Sequence, residues 1–248
     1  MKRFLLSTAI AVISQATVAM ATDLENMNDS EREAFRAEVR AYILDNPGII
    51  MEAVAVLEER KAAEQVNNDK ELLKANAEDI YNDGASFVGG NLDGDITIVD
   101  FSDYRCPYCK KAHTEIQALI KSDGNIRIIY KEFPILGPDS VTAAKFALAT
   151  LLLAPNSYED VKASLMAMRG KPNEATLTSL AKTLGLDAAA IFEKMDSDAV
   201  NSIIENNRSL GGRLQITGTP TFILGDQLIR GYVPLEGMQQ IVEEARKQ

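Results

Sequence analysis

The sequence contains few of the residues from which disulfide scaffolds and metal sites are built. Its 248 residues include two cysteines, Cys106 and Cys109, and one histidine, His113. A single Cys-x-x-Cys motif supplies two thiolates whereas structural zinc needs four ligands, so the motif argues against zinc and leaves open a two-coordinate Cu(I) site. A disulfide between cysteines this close would form a very short loop and restrict the unfolded chain only weakly. The pair is therefore better explained by thiol chemistry than by a structural role.

Basic residues are scarce relative to acidic ones. The chain has 26 lysines and arginines against 36 aspartates and glutamates, which gives a formal net charge of −10 at pH 7. Nucleic-acid binding requires a basic surface, so this composition argues against a nucleic-acid partner. With 46% hydrophobic residues, the chain has enough apolar material for an ordinary globular core.

The sequence also lacks an uninterrupted hydrophobic run of about 20 residues, the length that a transmembrane helix needs. An apolar stretch over residues 4–13 follows Lys2 and Arg3, and small residues stand at positions 19 and 21. This is the pattern of a secretory signal peptide over residues 1–21, cleaved near Ala21. A membrane anchor is the alternative, but the apolar stretch is short for one. We therefore expect export and a periplasmic location.

Residues 22–84 are predicted to form a helical stalk. Residues 30–33 fit a capping box that opens a first helix, and Asn46 and Pro47 separate it from a second. Beyond residue 60 the second helix has few apolar positions, so it either packs on a partner chain or is mobile. Its one short apolar face is formed by Ile50, Val54 and Leu57.

Residues 85–248 show the strand and helix patterns of an α/β domain, after a glycine-rich boundary. A continuous helical block over about residues 140–215 separates two pairs of strands, and Pro234 starts a final helix. The strands are predicted over residues 96–101, 126–133, 221–224 and 227–230, and the helices of the block over residues 140–153, 157–169, 173–184, 187–195 and 197–214.

The Cys-x-x-Cys motif stands between a predicted strand and a predicted helix. Cys106 falls at the N-cap of that helix and Pro107 at its first position. The free N–H groups and the positive end of the helix dipole favour the thiolate form of Cys106, which is the attacking species in disulfide exchange. Cys109, one turn further on, can displace a substrate captured by Cys106. His113 follows one turn later and is predicted to lie on the helix surface; the alternative is that, being near the thiolates, it tunes them.

Four short motifs together resemble the DsbA family of thioredoxin-fold proteins. They are Val99-Asp100-Phe101, Cys106-Pro107-Tyr108-Cys109, Lys131-Glu132-Phe133-Pro134 and Gly218-Thr219-Pro220-Thr221. The resemblance implies an α/β thioredoxin-like fold over residues 85–248, with the helical block as an inserted subdomain and the helical stalk in front. It also implies thiol–disulfide exchange on protein substrates, with a redox-active Cys106–Cys109 disulfide and no further cofactor.

The resemblance assigns roles to individual residues. Cys106 would be the nucleophile and Cys109 the resolving thiol. Pro220 would be a cis-proline that faces them, and the backbone of Thr219 would pair with an extended substrate segment. The alternative for Pro220 is an ordinary proline at the start of a strand.

Asp100 is a charged residue in an otherwise apolar strand, six positions before Cys106. If it is buried, the pKa of its carboxyl group should be raised, and the group could relay a proton to or from Cys109. If it faces solvent at the end of the strand, it has no such role. The sequence leaves both interpretations open.

Pro107 and Tyr108 lie between the cysteines and are expected to contact the substrate. The strongly oxidising members of the family have histidine where this chain has Tyr108. A histidine there can stabilise the thiolate electrostatically, whereas tyrosine cannot carry the positive charge, so we expect a less oxidising site. This favours isomerase or reductase activity. A dithiol oxidase is the alternative, and a thiol-based copper-binding or metal-tolerance protein is the alternative from another class.

The stalk resembles that of ScsC-like and Com1-like members of the family, some of which form trimers with isomerase activity. This implies a homo-oligomer, a trimer, formed through the stalk, and linked active sites would favour isomerisation. The alternative is a stalk that packs on its own catalytic domain. The expected partners are exported proteins that contain cysteines and a membrane redox protein.

Overall fold

A computed structural model describes residues 26–247 of the protein. The predicted signal peptide over residues 1–21 lies outside these residues. The described chain divides after Arg60 into two compact units. No helix between residues 26 and 247 is both long enough and apolar enough to cross a membrane.

The first unit contains helix α1 (Asp29–Asp45) and the beginning of helix α2 (Gly48–Ala75). A capping box opens α1, in which Asn28 Oδ1 accepts a hydrogen bond from the Glu31 N–H at 3.0 Å and the Glu31 carboxylate accepts one from the Asn28 N–H at 2.9 Å. The predicted box at residues 30–33 is wrong by two positions. Asparagine caps a helix as well as serine does, and Glu31 stands three residues after it.

No side chain in residues 26–60 is buried. Large apolar side chains are nevertheless frequent there, and an exposed apolar surface of this extent is typical of an association site. Those that are exposed are Phe35, Val39, Tyr42, Leu44, Ile50, Met51, Val54, Val56 and Leu57.

The second unit is built on a mixed sheet with the strand order β1-β3-β2-β4-β5. Strands β2 and β3 are parallel, and the other neighbouring pairs are antiparallel. Strand β1 is absent from the sequence prediction because it is short and ends in two glycines, which weaken a strand pattern. The strands are β1 (Phe87–Gly90), β2 (Ile96–Ser102), β3 (Ile126–Glu132), β4 (Thr221–Leu224) and β5 (Gln227–Arg230).

Helices connect these strands and cover the sheet. Helix α4 links β2 to β3, and a block of five helices lies between β3 and β4, as the sequence pattern predicts. The remaining helices are α3 (Ala77–Tyr81), α4 (Pro107–Asp123), α5 (Pro138–Leu153), α6 (Tyr158–Ala167), α7 (Glu174–Thr183), α8 (Ala188–Met195), α9 (Asp198–Arg213) and α10 (Leu235–Ala245). This is the expected thioredoxin-like arrangement with inserted helices.

The two faces of strand β2 contribute to two different hydrophobic clusters. Ile96 and Ile98 pack in the cluster that contains α4, whereas Val99 and Phe101 pack in a second cluster. Side chains alternate between the faces of a strand. Asp100 therefore projects from the same face as Ile96 and Ile98, towards the helix that carries the cysteines.

The chain between residues 61 and 84 packs on the sheet of the second unit. Leu73 of α2 and Ile80 of α3 are buried in the second cluster. Asp69 forms a two-point ion pair with Arg230 of β5, with N–O distances of 2.7 and 2.8 Å. The polar second half of α2 is thus held by its own chain, and a shortened protein that keeps this packing should begin at Lys61.

Candidate active site

Cys106 is the N-cap of helix α4, and Pro107 is the first residue of that helix. The Cys106 Sγ atom accepts a hydrogen bond from the backbone N–H of Cys109 at 3.3 Å. Both cysteines are in the thiol form, and Cys106 is 5% exposed whereas Cys109 is 1% exposed. The helix thus presents one sulfur at its tip and holds the second a turn deeper.

Cys109 is buried among groups that disfavour its thiolate. Burial raises the pKa of the Cys109 thiol, and the nearby carboxyl group of Asp100 raises it further. The backbone N–H of Asp103 opposes this shift by donating a hydrogen bond to Cys109 Sγ at 3.5 Å. Because Cys109 remains protonated at neutral pH, its attack on another sulfur requires a group that removes the proton.

The Thr219–Pro220 peptide bond is cis, and this segment lies against the cysteines. The Cys106 thiol donates a hydrogen bond to the carbonyl oxygen of Thr219 at 3.3 Å. Pro220 is buried, Thr219 is half-buried, and Gly218 is exposed. The structure therefore brings Cys106, Thr219 and Pro220 together beside backbone that an incoming chain can reach.

Asp103 organises the segment between β2 and the cysteines, and sequence analysis missed it. Its side chain is buried, and Oδ1 accepts a hydrogen bond from the Arg105 N–H at 2.7 Å. Oδ2 accepts two more, from the N–H groups of Ile135 at 2.8 Å and Leu136 at 3.0 Å. An aspartate just after a strand is a common turn residue, so the sequence carried no signal that this carboxylate joins the Cys106 segment to the residues after β3.

Tyr108 projects from the site beside a second tyrosine that the sequence did not reveal. Tyr108 is 63% exposed, and its ring centroid lies 6.2 Å from that of Tyr232. The Tyr232 hydroxyl donates a hydrogen bond to Glu115 at 2.6 Å, and Lys111 Nζ lies 4.3 Å from the Tyr232 ring centroid. These contacts fix Tyr232 and leave an aromatic surface next to Cys106.

Asp100 is buried, with 4% of its surface exposed, so the solvent-facing alternative is excluded. Burial raises the pKa of Asp100 to about 6, Lys162 and a hydrogen bond from Ser102 oppose this shift, and Glu132 adds to it. A carboxyl group with this pKa can exchange a proton near neutral pH. The burial on which the proton-relay hypothesis depends is therefore present.

The prediction that His113 lies on the helix surface is wrong. The side chain is half-buried, and its Nδ1 atom is buried without a hydrogen-bond partner among residues 26–247. Burial lowers the pKa of His113 to about 4, and the positive charge of Lys162 contributes. The imidazole is therefore neutral at neutral pH and supplies no positive charge to the site.

Within the described residues, no group of three or more histidine, cysteine, aspartate or glutamate side chains is placed to hold a metal ion. The two sulfurs of Cys106 and Cys109 are the soft donors of the site, and two thiolates suit only a two-coordinate ion such as Cu(I).

Two families match this chain. Residues 97–243 match the family described as DSBA-like thioredoxin domain. Residues 31–64 match the family described as Copper resistance protein ScsC N-terminal domain. The first match includes the cysteines, Asp100 and the Thr219–Pro220 segment, and the second falls in α1 and α2.

Individual relatives agree with the first match. A thioredoxin-like oxidoreductase from Silicibacter pomeroyi DSS-3 is 38% identical, with 69% of this chain and 98% of that chain covered and a TM-score of 0.65. The thiol-disulfide exchange protein alpha-DsbA2 from Wolbachia pipientis is 30% identical, with 73% and 97% covered and a TM-score of 0.69. Disulfide bond formation protein D from Bacillus subtilis is 25% identical over 170 residues, which are 64% of this chain and 77% of that protein.

Proposed function

The chain belongs to the family of DSBA-like thioredoxin domains, and we propose that it exchanges thiols and disulfides in protein substrates, with Cys106 as the nucleophile and Cys109 as the resolving thiol. The observation that carries this proposal is the position of the Cys106 sulfur. It caps a helix, lies one turn from a second thiol, and contacts the backbone of the residue before a cis-proline.

The reaction follows from the different environments of the two sulfurs. The Cys106 thiolate attacks a substrate disulfide, which forms a Cys106–substrate disulfide and releases one substrate thiolate. Cys109 then loses its proton to the Asp100 carboxylate and attacks Cys106 Sγ. The Cys106–Cys109 disulfide forms, the second substrate thiolate leaves, and the substrate is reduced by two electrons. In isomerisation, a substrate thiol performs the second attack and Cys109 remains a thiol.

We place the substrate against three groups around Cys106. The backbone of Thr219 lies beside the thiol and can pair with an extended segment, as in strand addition. Pro220 lies with Thr219 on one side of Cys106. The residues between the cysteines, Pro107 and Tyr108, lie on the other side of the site. The exposed Tyr108 ring, packed near Tyr232, offers apolar contact to the residues that flank a substrate cysteine.

Isomerase or reductase activity is our proposal for the direction of exchange. Tyr108 supports it, because an uncharged residue between the cysteines gives the Cys106 thiolate less stabilisation than histidine would. The test is refolding of a scrambled-disulfide protein. Recovery of native activity in a glutathione buffer would support isomerisation. Oxidation of reduced substrate without correction of scrambled substrate would support the alternative, a dithiol oxidase.

We further propose that the chain forms a homo-oligomer, a trimer, through its stalk. The ScsC N-terminal match over residues 31–64 and the exposed apolar side chains of residues 26–60 support this. Analytical ultracentrifugation should give an oligomer for the chain from residue 22 and a monomer for the chain from Lys61. If isomerisation depends on linked sites, the shorter protein should lose it and retain reduction of a simple disulfide.

Export to the periplasm is proposed from the signal-peptide pattern of residues 1–21. Exported proteins with cysteines would be the substrates, and a membrane redox protein would restore the working state of Cys106 and Cys109. Cell fractionation and N-terminal sequencing of the mature protein test the location and the predicted cleavage near Ala21. A chain retained in the membrane fraction with its N-terminus intact would favour the anchor.

A thiol-based copper-binding or metal-tolerance protein is the second candidate function. It is favoured by one observation, the match of residues 31–64 to the N-terminal domain of the copper resistance protein ScsC. Titration of the reduced protein with Cu(I) separates the two. Tight stoichiometric binding that requires both Cys106 and Cys109, together with no activity on scrambled substrates, would favour the metal protein.

A further inference from the structure

Three charged side chains are buried together beneath the cysteines. Asp100 of β2 is 4% exposed, Glu132 of β3 is 1% exposed, and Lys162 of α6 is fully buried. Lys162 Nζ lies 3.6 Å from Glu132 Oε1 and donates a hydrogen bond to Ser102 Oγ at 3.2 Å. The Ser102 hydroxyl in turn donates to Asp100 Oδ2 at 3.1 Å. Two carboxyl groups thus share one ammonium group in a region that excludes water.

With two carboxyl groups and one ammonium group, the cluster is electrically neutral only when one carboxyl group carries a proton. Two ionised carboxylates against one ammonium would leave an excess negative charge in the protein interior, which is strongly unfavourable. A proton on one carboxyl group removes that excess. Which of the two carries it depends on the hydrogen bonds that each can accept as an anion.

The carboxyl group of Glu132 is surrounded by more hydrogen-bond donors than that of Asp100. Glu132 Oε1 accepts hydrogen bonds from the Tyr104 hydroxyl at 2.6 Å and the Tyr158 hydroxyl at 2.5 Å, in addition to its contact with Lys162. Asp100 accepts one hydrogen bond, from Ser102. Its Oδ1 atom is buried with no hydrogen-bond partner within residues 26–247, as is Glu132 Oε2. Glu132 is therefore the better anion, and Asp100 is the carboxyl group of the pair that takes up a proton more readily.

We propose that Glu132 and Lys162 are positioning residues that make Asp100, and not Glu132, the carboxyl group of this cluster that binds and releases a proton, which it exchanges with Cys109. This inference rests on the proposed function, because it concerns the proton that Cys109 loses when it attacks the Cys106–substrate disulfide. In that step the proton moves from Cys109 Sγ to the Asp100 carboxylate, the Cys109–Cys106 bond forms, and the Cys106–substrate bond breaks. The electron pair leaves with the substrate sulfur.

Several elements pack around Asp100, and each contributes a residue to its surroundings. Ser102 lies on its own strand, β3 supplies Tyr130 and Glu132, α4 supplies Cys109, and α6 supplies Lys162. Tyr104 approaches from the segment after β2, and β4 places Phe222 opposite Asp100. Lys162 also lies 4.3 Å from the Tyr130 ring centroid and 5.2 Å from that of Tyr104, which stabilises its ammonium form.

Lys162 comes from α6, one of the five helices between β3 and β4. Those helices therefore supply the one positive charge of the cluster, in addition to covering the site. Glu132 and Lys162 should act in opposite directions on Asp100. Removing the charge of Glu132 leaves Lys162 to stabilise the Asp100 carboxylate, whereas removing Lys162 takes that stabilisation away.

The test is a direct titration of Asp100 in the full-length reduced protein, by the carboxyl ¹³C chemical shift. Glu132→Gln should move the midpoint down and Lys162→Met should move it up, each by about one pH unit or more. Lys145→Met is the control, since Lys145 pairs with the exposed Asp196. Tyr158→Phe is a milder variant that weakens Glu132 as an anion without removing a charge, and it should move the midpoint down.

A second readout is the rate at which Cys109 resolves a Cys106-linked mixed disulfide as a function of pH. The midpoint of this profile should move with the Asp100 midpoint in each variant. If the two charge variants move the Asp100 titration in the same direction, or not at all, the inference is wrong. A wild-type protein that exchanges no disulfides would overturn the proposed function instead, while the ¹³C titration would still decide where the proton resides.

Discussion

The thiol of Cys106 donates a hydrogen bond to the carbonyl oxygen of Thr219 at 3.3 Å, across 113 residues of sequence. This contact joins the tip of helix α4 to the loop that leads into β4. The backbone of Thr219 is therefore a direct neighbour of the Cys106 sulfur.

Replacement of Cys109 should trap substrates on the enzyme. In Cys109→Ser, Cys106 still attacks a disulfide, but no second thiol is in place to release the product. We expect mixed disulfides to accumulate, visible by non-reducing electrophoresis and mass spectrometry. Cys106→Ser is the matched control and should form none, because the remaining sulfur is 1% exposed. Equal trapping by the two variants would reverse the assigned roles.

The residue at position 108 should set the oxidising strength of the site. Tyr108→His places a group between the cysteines that can carry positive charge and stabilise the Cys106 thiolate. We expect the equilibrium with glutathione to shift towards the reduced protein by about tenfold, which corresponds to about 30 mV. Tyr108→Phe, which changes the hydroxyl without adding a charge, should shift the equilibrium much less. A similar shift in both variants would mean that charge is not the cause.

Ionisation of Asp100 should lower the free energy of unfolding as the pH rises. Its pKa is raised from 3.8 to about 6 by burial, so the folded protein holds this proton more tightly than the unfolded chain does. Stability from this group is complete below about pH 3.8 and is lost as the pH rises through 6. Asp100→Asn cannot ionise and should gain about 3 kcal/mol on wild type between pH 3 and pH 8.

Urea unfolding of the reduced protein at several pH values measures this difference. Asp93→Asn changes an exposed carboxyl group and serves as the control, with a difference that should stay small across the range. If the advantage of Asp100→Asn were independent of pH, ionisation of Asp100 would not be its origin.

The buried ion pair between Lys131 and Asp83 should contribute more to the free energy of unfolding than an exposed ion pair does. Lys131 is fully buried, and its Nζ atom lies 2.6 Å from Asp83 Oδ2. Asp83→Asn leaves the ammonium group without its counter-charge and should lower the free energy of unfolding by about 3 kcal/mol. Asp196→Asn breaks a pair in which the carboxylate is 85% exposed and should change it by less than about 1 kcal/mol. Equal effects would contradict the burial argument.

Sequence reasoning predicted local structure well and long-range contacts poorly. Strands β4 and β5 stand at the positions predicted for them, over residues 221–224 and 227–230. The helix predicted over residues 173–184 is present as α7, capped by the Asn173 side chain, which accepts a hydrogen bond from the Thr176 N–H. The helix predicted over residues 157–169 is present as α6, which is preceded by a short 3-10 helix and has no side-chain cap at Ser157.

The missed residues share one property, which is that their partners are distant in sequence. Lys162 looks like an ordinary surface lysine in a helical pattern, and only the packing of α6 under the site reveals that it is buried beside Ser102 and Glu132. Tyr232 follows the last strand in sequence, and it belongs to the site only because its ring lies near that of Tyr108. Motif and resemblance predicted the cysteines, Asp100 and the Thr219–Pro220 segment, which the fold brings together, whereas the groups that surround them become apparent only from the packing of distant elements.

The ion pair between Asp69 and Arg230 links two parts of the second unit that sequence analysis treated separately. Arg230 lies opposite Thr221, the residue that follows Pro220. The second half of α2 is therefore joined to β5 beside Thr221, the first residue of β4, which directly follows the cis-proline. Local opening should release both segments as one cooperative block, with matching amide hydrogen-exchange rates in α2 after residue 61 and in β5.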